Sequence, residues 1–256
     1  MSDILYIVMP AYNEEEIIED VVKDWYKVLH DSSISFESRL CVVDDGSKDS
    51  TGEILDRLCK EYYQLMVIHK ENGGHGSAVM AGYRTALHEG ADFVFQTDSD
   101  GQTSPDEFYE FWKQRNRLDA IFGNRINRND GFIRKCIEKF ICLLLRLYFD
   151  VRIPDSNAPF RLYSARTLRE NMDVIPEACE TPNIFFTVAF AYRLYWIKFL
   201  PVSFGKRETG KNSINIRRIL RIGKHTISQF SYVKKALKRS RVYTWVEDST
   251  DNTKNA

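Results

Sequence analysis

Asp98 and Asp100 flank a single serine at the end of the apolar run ADFVFQTD. Two carboxylates this close repel each other unless a positive charge sits between them. In an extended segment the side chains of i and i+2 project to one side, so the pair can grip a hard divalent cation. Mg²⁺ characteristically takes one or two protein carboxylates and completes its shell with water and phosphate oxygens. An Asp-x-Asp triplet alone equally describes an Asx turn with two solvated acids. Its place directly after a buried run favours the chemical reading.

Three other segments end in the same way: Pro10-Ala11-Tyr12-Asn13-Glu14, Asp44-Asp45-Gly46-Ser47 and Asn72-Gly73-Gly74-His75-Gly76. One of Asp44 and Asp45 can bond a ribose or a base edge while the other caps the turn; Asp44 is nearer the strand and is the ligand candidate. NGGHGSA resembles a dinucleotide fingerprint but has Val79 where a third Gly or Ala would stand, and it follows the third strand rather than the first. Its glycines are read as letting a helix start pack closely against the sheet. His75 is read as a surface or first-turn histidine, and the other four histidines have no metal-ligand spacing.

Hydrophobic period gives the elements that hold these residues. ILYIVMP is a strand ending at Pro10. NEEEIIEDVVKDWYKVLH puts Ile17, Ile18, Val21, Val22, Trp25 and Leu29 at helical spacing, with Glu14, Glu15 and Glu16 expected in the first turn, where the helix dipole favours acids. FESRLCVVDDGS is a second strand, DSTGEILDRLCKEYY a helix capped by Asp49 or Ser50, and QLMVIHK a third strand. GSAVMAGYRTALHEG is a helix closed by Gly90, and ADFVFQTD a fourth strand. This β-α-β-α order predicts a mostly parallel sheet with helices on both faces. Ligands of such sheets bind at the carboxyl ends of the strands.

After Arg125 the pattern changes. Ile133, Ile137, Phe140, Ile141, Leu144 and Leu147 form a helical stripe with Arg134, Lys135, Lys139 and Arg146 around it. The uncharged stretch 140–145 is far below the ~20 residues that span a bilayer. Periodicity alone favours a buried helix capping the core, with a membrane interface as the other setting. APFRLYS and WIKFLPVSF read as strands, NIFFTVAFAYRLY as a buried helix, and GKRETGKNS as a polar loop. INIRRILRIGKHTISQFSYVKKALKRS is a basic amphipathic helix or a pair broken at Gly223, followed by a polar tail read as disordered from Asp248.

The 256 residues suffice for one large domain or one domain with an appendage. Five cysteines without a CxxC pair argue against a zinc or disulfide framework and for a reducing compartment. Formal net charge is zero, yet residues 206–241 hold 12 Lys/Arg against the single acid Glu208, leaving 24 basic and 35 acidic residues elsewhere. A basic segment on an acidic body calls for an anionic partner such as phospholipid, a phosphorylated substrate or nucleic acid. No nucleic-acid motif accompanies it, and Ile219, Leu220, Ile222, Ile227, Phe230 and Val233 favour a membrane-surface helix.

Taken in order, VMPAYNEEE, CVVDDGSKDST, ENGGHGSAVMAGY and QTDSDGQTSPDEF resemble the inverting glycosyltransferases of family 2, which have the GT-A fold. The second half resembles a narrower group, the polyprenyl-phosphate glycosyltransferases. The residues that carry this are Gly123-Asn124-Arg125, the 132–150 stripe, Asp155 with Phe160-Arg161-Leu162, and the basic loop Arg207-Glu208-Thr209-Gly210. The acceptor motif reads Ala158-Pro159-Phe160-Arg161 where Ser-Gly-Phe-Arg is usual. Ser213 stands where the basic loop often has Lys, with Lys211 as a stand-in.

The resemblance implies an α/β GT-A domain over 1–213, divided into a nucleotide-sugar half (1–125) and an acceptor half (126–213) with interface helix 132–150. A basic amphipathic segment (214–247) and a disordered tail (248–256) would follow. It implies that Pro10, Tyr12, Asn13, Glu14, Val42 and Asp44 line the nucleoside pocket. Asp98, Ser99 and Asp100 would bind the diphosphate, and Asp98 and Asp100 the metal, Mg²⁺ or Mn²⁺. Gln102 would face the donor sugar or phosphate, and Arg125, Arg207 and Lys211 would meet phosphate charge. Asp155 would be the base at the reacting centre, with Arg207 beside it in catalysis. The expected donor is a UDP- or GDP-sugar. The expected acceptor is a polyprenyl phosphate, with a glycan hydroxyl as the alternative, on the cytoplasmic face of a membrane. A phosphate monoester, with a second pKa of ~6, needs no base, and an arginine such as Arg161 would have to separate it from Asp155. A catalytically silent nucleotide-sugar-binding subunit is the reading from another class. A second copy or a membrane protein is a further partner class.

Overall fold

A computed structural model of the protein describes residues 2–126, 132–205 and 216–251, with the backbone alone for 132–136, 216–220 and 240–251. Seven strands form one sheet: β1 (Leu5–Ala11), β2 (Arg39–Asp44), β3 (Leu65–His69), β4 (Phe93–Gln96), β5 (Ala120–Ile126), β6 (Arg161–Ser164) and β7 (Ile197–Ser203). Their spatial order is β3-β2-β1-β4-β6-β5-β7. β6 runs antiparallel to both β4 and β5, and every other pairing is parallel. The helices are α1 (Ile18–Tyr26), α2 (Thr51–Glu61), α3 (His75–His88), α4 (Phe108–Trp112), α5 (Phe132–Phe149), α6 (Ala165–Asn171), α7 (Pro182–Tyr192) and α8 (Ile216–Asp251).

β1 lies at the middle of the parallel half and all seven of its residues are buried. Its alternation sends Tyr6 and Val8 into one core and Leu5, Ile7 and Met9 into the other. The first core packs under α3, α7 and α8, and the second under α1, α2 and α4. In the second, Phe95 at the end of β4 meets Phe108 at 4.9 Å, Phe160 at 4.8 Å and Trp25 at 5.6 Å between ring centroids. Each such fully buried ring contributes roughly 1.5–3 kcal/mol. Together they fix the strand that presents Asp98.

Several local expectations shift. α1 starts at Ile18, so its first-turn acids are Glu19 and Asp20; Glu14, Glu15 and Glu16 precede the helix. Ser50 holds the N-cap position of α2 without a side-chain bond, while Asp49 Oδ1 accepts from the Thr51 N–H and hydroxyl. β5 and α4 were not legible as elements. α8 is unbroken at Gly223 and continues past Asp248 to Asp251. It is no loose appendage: Phe230, Val233 and Leu237 are buried in the first core. α5 departs from a wholly buried helix. Leu145 and Phe149 are buried, Leu143 and Leu147 face outward, and Phe140, although exposed, lines the cleft described below.

Candidate active site

The loops after β1, β2 and β3 are stitched to one another by side chain–backbone bonds. Asn13 takes a left-handed conformation (φ 54°), which a short amide side chain tolerates. Its N–H donates to Ser47 Oγ at 3.0 Å, and its Oδ1 accepts from the Lys48 N–H at 2.8 Å. The Glu14 N–H donates to Thr51 Oγ1 at 2.8 Å. Tyr12, 41% exposed, stands over this shelf, and buried Pro10 gives its carbonyl to the Ser99 hydroxyl at 2.9 Å. Asp44 Oδ1 accepts from the Ser47 N–H at 3.0 Å and its Oδ2 meets His69 Nδ1 at 2.9 Å. Burial raises the Asp44 pKa, but bonds from Ser47 and His69 outweigh it and the net shift is downward. Asp45 is the organiser. It accepts from Lys70 Nζ (2.6 Å) and the N–H groups of Gly73 (3.0 Å) and Gly74 (2.7 Å).

Val42 does not line this shelf. Its side chain is fully buried in the second core, because β2 turns that face toward α1 and α2. The glycines after β3 also act differently from expectation. A Cβ on Gly76 would lie 2.2 Å from the Cys179 carbonyl oxygen, so the helix start packs against the chain before α7. Gly82 is the glycine pressed on the sheet, 2.3 Å from Val8 Cγ1 by the same construction.

Asp98-Ser99-Asp100 forms the turn at the end of β4, with Gly101 at φ +70° closing it. The Gln102 N–H donates to Asp100 Oδ1 at 3.1 Å. Gln102 Nε2 donates to the Gly205 carbonyl at 2.8 Å, and the Gly205 N–H returns to the Gln102 carbonyl at 2.9 Å. Gln102 thus lines the cleft while tying this turn to the chain after β7. His75, the first residue of α3, brings Nε2 to 4.0 Å from Asp98 Oδ1. It belongs to the site rather than the bland surface. Half of the ring faces the cleft, yet burial among the cleft walls pushes its pKa down, against Asp100 and Asp45, which raise it. Among the described residues no group of three His, Cys, Asp or Glu side chains is placed to hold a metal. The two carboxylates of this turn still fit a hard cation that takes its remaining ligands from phosphate and water.

Arg125, at the end of β5, is fixed by Asp155. Its Nε and Nη2 meet Asp155 Oδ2 at 2.7 Å and Oδ1 at 2.8 Å, and its own N–H adds a bond at 3.2 Å. Burial raises the Asp155 carboxyl, but the Arg125 guanidinium and the N–H groups of Arg125 and Asn157 outweigh it and hold the pKa below the usual carboxylate value. Asp155 is 2% exposed and sits behind Arg125, not on the cleft wall. In this arrangement Asp155 is paired on both oxygens and serves to hold Arg125. Arg161 does not stand between Asp155 and the cleft. It is fully buried and donates to the carbonyls of Ala158, Ser156 and Asn183 and to the hydroxyls of Tyr163 and Thr187, locking the 156–158 loop to α7. Arg207 and Lys211 lie outside the described residues.

These groups close one end of a cleft of about 770 Å³. Its polar end is lined by His75, Asp98, Asp100, Gln102, Arg125 and Asn157. Away from the strand ends it becomes an apolar trough between α5, α7 and α8, lined by Ile141, Leu144, Ile184, Ile227 and Phe230. Glu138 and Lys224 also reach it. Neither was singled out from sequence, although Glu138 is the sole acid of α5 and is visible as such. Among the described residues lining the cleft, the acids Asp98, Asp100 and Glu138 outnumber the cations Arg125 and Lys224. A diphosphate can enter such a surplus only with added positive charge.

The family model described as Glycosyl transferase family 2 matches residues 6–175. The UDP-N-acetylglucosamine–dolichyl-phosphate N-acetylglucosaminyltransferase of Methanococcus voltae is 29% identical over 193 residues, 66% of this chain and 73% of that protein. The undecaprenyl-phosphate mannosyltransferase of Micrococcus luteus is 27% identical over 218 residues, 81% and 86% of the two chains. In fold, the chain resembles the glucosyl-3-phosphoglycerate synthase of Mycobacterium tuberculosis crystallised with Mn²⁺, UDP-glucose and phosphoglyceric acid. The TM-score is 0.65 at 16% identity, covering 91% of this chain and 80% of that one.

Proposed function

The chain belongs to glycosyl transferase family 2, and on that premise we propose that it moves a sugar from a nucleoside-diphosphate donor to a polyprenyl phosphate at a membrane face. The observation that carries this reading is the two-ended cleft, polar at the strand ends and apolar between α5, α7 and α8. A charged head on a long apolar tail matches it from end to end, whereas a glycan offers nothing to the apolar trough. The named relatives from Methanococcus voltae and Micrococcus luteus, a dolichyl-phosphate and an undecaprenyl-phosphate transferase, support the same acceptor class.

In this mechanism Tyr12, Asn13 and Asp44 hold the nucleoside on the shelf that Ser47 and Thr51 brace. Asp98 and Asp100 would hold a divalent cation, which when bound offsets charge on the departing diphosphate. Arg125 presents its guanidinium to phosphate oxygen, and Asp155 fixes its aim. Arg207 and Lys211, by the family resemblance, add positive charge from the basic loop. The acceptor attacks the anomeric carbon opposite the leaving group and inverts it. A phosphate monoester with a second pKa of ~6 is already mostly dianionic at neutral pH, so no proton has to be removed. A hydroxyl acceptor would need a base, and the carboxylate expected in that role is committed to Arg125.

No helix among the described residues is long and apolar enough to cross a membrane. The outward side chains Leu143 and Leu147 support peripheral docking by α5 instead. A panel of UDP- and GDP-sugars assayed with a short-chain prenyl phosphate and Mg²⁺ or Mn²⁺, with products identified by mass, tests the proposal. A glycosyl-phosphoprenol is the expected product. Transfer only to oligosaccharide hydroxyls would overturn the acceptor class, and binding without transfer would favour a silent subunit.

A further inference from the structure

α5 and α8 grade from polar to apolar in the same direction along the cleft. On α5, Glu138 stands beside Arg125, and Ile141 and Leu144 follow it into the trough. On α8, Lys224 lines the cleft first, and Ile227 and Phe230 follow at intervals of three residues, close to one helical turn each. Phe230 then meets Phe149 of α5 at 5.2 Å and Phe185 of α7 at 6.2 Å between ring centroids, which marks the apolar end. The hydroxyls of Thr226 and Thr181, the N-cap residue of α7, lie 3.0 Å apart and fix the register of α8 on the cleft wall. Lys224 therefore stands where the trough opens into the polar end.

The cations Arg125 and Lys224, both in the cleft lining, differ in what surrounds them. Arg125 is set between Asp155, at 2.7 Å and 2.8 Å, and Glu138, at 3.5 Å, and its side chain is 8% exposed. Lys224 is exposed and forms no ion pair among the described residues. The first turn of α7 reaches the same wall through Thr181 and Asn183 and carries no acid. A transfer from a diphosphate to a phosphate has two separate anions to hold. A cation at Asp98 and Asp100, with Arg125, answers the diphosphate. The acceptor's own charge needs a second positive group at the mouth of the apolar trough.

We propose that Lys224 binds the phosphate of the acceptor and that Ile227 and Phe230 carry the first part of its prenyl tail, so that α8 sets how far a lipid phosphate enters the cleft. This inference rests on the lipid-phosphate reading of the acceptor. It assigns that reading residues beyond the stretch 6–175 that the family model matches. During transfer an acceptor oxygen bonds the anomeric carbon, and the bond from sugar to diphosphate breaks with its electron pair on the leaving group. The acceptor phosphate loses one negative charge in that step, so its attraction to Lys224 is strongest before reaction. Loss of the contact then shows in the acceptor KM rather than in kcat.

The test uses the full chain, the UDP- or GDP-sugar selected by the donor panel, and two acceptors, a five-carbon and a fifteen-carbon prenyl phosphate. Lys224 is exposed and Ile227 is 48% exposed, so substitutions at either leave the core intact. Lys224→Gln is expected to raise KM for both acceptors by roughly tenfold or more, the scale of a lost charge-assisted hydrogen bond, with kcat and the donor KM held. Lys224→Arg is expected to recover most of the affinity. Ile227→Ser is expected to raise KM for the fifteen-carbon acceptor by about tenfold and to leave the five-carbon acceptor less affected. An unchanged acceptor KM in Lys224→Gln, or a raised donor KM in its place, would overturn the proposal alone. So would an equal response of the two acceptors to Ile227→Ser. No transfer to either prenyl phosphate by the wild type would overturn the acceptor reading with it.

Discussion

Asp98 and Asp100 are presented by a turn that Ser99 pins to Pro10 and Gln102 pins to Gly205. Their carboxylates are therefore aimed before any ligand arrives. Asp98→Asn is expected to lower kcat by roughly 100-fold, the scale of losing one charge-stabilising contact at a transition state, with a raised requirement for Mn²⁺ in initial-rate titrations. Asp155 acts through Arg125. Because its folded pKa is depressed, the pair contributes fully above the ordinary carboxylate value, and the contribution is lost as pH falls through the lowered value. Asp155→Asn is expected to cost about 3 kcal/mol in urea denaturation at pH 7, with the gap to wild type closing in acid. His69 has the opposite sign. The bond to Asp44 raises its pKa, burial opposes this, and Asp56 adds to the rise. Its contribution is complete below ~6.5 and is lost as pH rises through the raised value. His69→Gln is expected to melt lower than wild type at pH 6 and to match it at pH 9.

At the scale of elements, α3 matters for how closely it approaches the sheet. Gly82 faces Val8 and Gly76 faces the chain before α7, so the helix start that carries His75 sits where small residues allow it. Alanine is the better helix former by ~1 kcal/mol, but overpacking a filled core costs about 1–3 kcal/mol. Gly82→Ala is therefore expected to reduce stability, read as a lower urea midpoint at unchanged slope. α5 shows the complementary case. Its apolar residues surround the helix because one face meets the core, one lines the cleft and one faces outward. A single stripe could not reveal that division.

For the whole molecule, α8 crosses over α5 and α7 and closes the trough. Phe230 packs against Phe149 at 5.2 Å and Phe185 at 6.2 Å between ring centroids. Deleting 214–256 would uncover the core, so membrane docking is better probed by surface substitution. Leu143→Glu combined with Leu147→Glu is expected to weaken binding to anionic vesicles by tenfold or more, since each buried leucine is worth ~1.5–3 kcal/mol. The remaining binding should weaken further with salt. Flotation at two ionic strengths checks both.

Local order in the chain determined the β-α-β-α half, its parallel pairing and the four polar strand ends. Period and turn chemistry act over a few residues and leave their mark in sequence. The four ordered motifs were enough to indicate the family, because their sequence and spacing are specific even where each alone is not. Tertiary structure decided which polar groups face the cleft. Asp155 and Arg161 look like acceptor-side residues in sequence, but one is spent on Arg125 and the other on backbone carbonyls. Val42 was placed in a pocket by motif and in the core by the pleat. His75, Glu138 and Lys224 are brought to one cleft only where α3, α5 and α8 meet near the strand ends. A side chain's partners across the cleft lie dozens of residues away, and no local pattern records them.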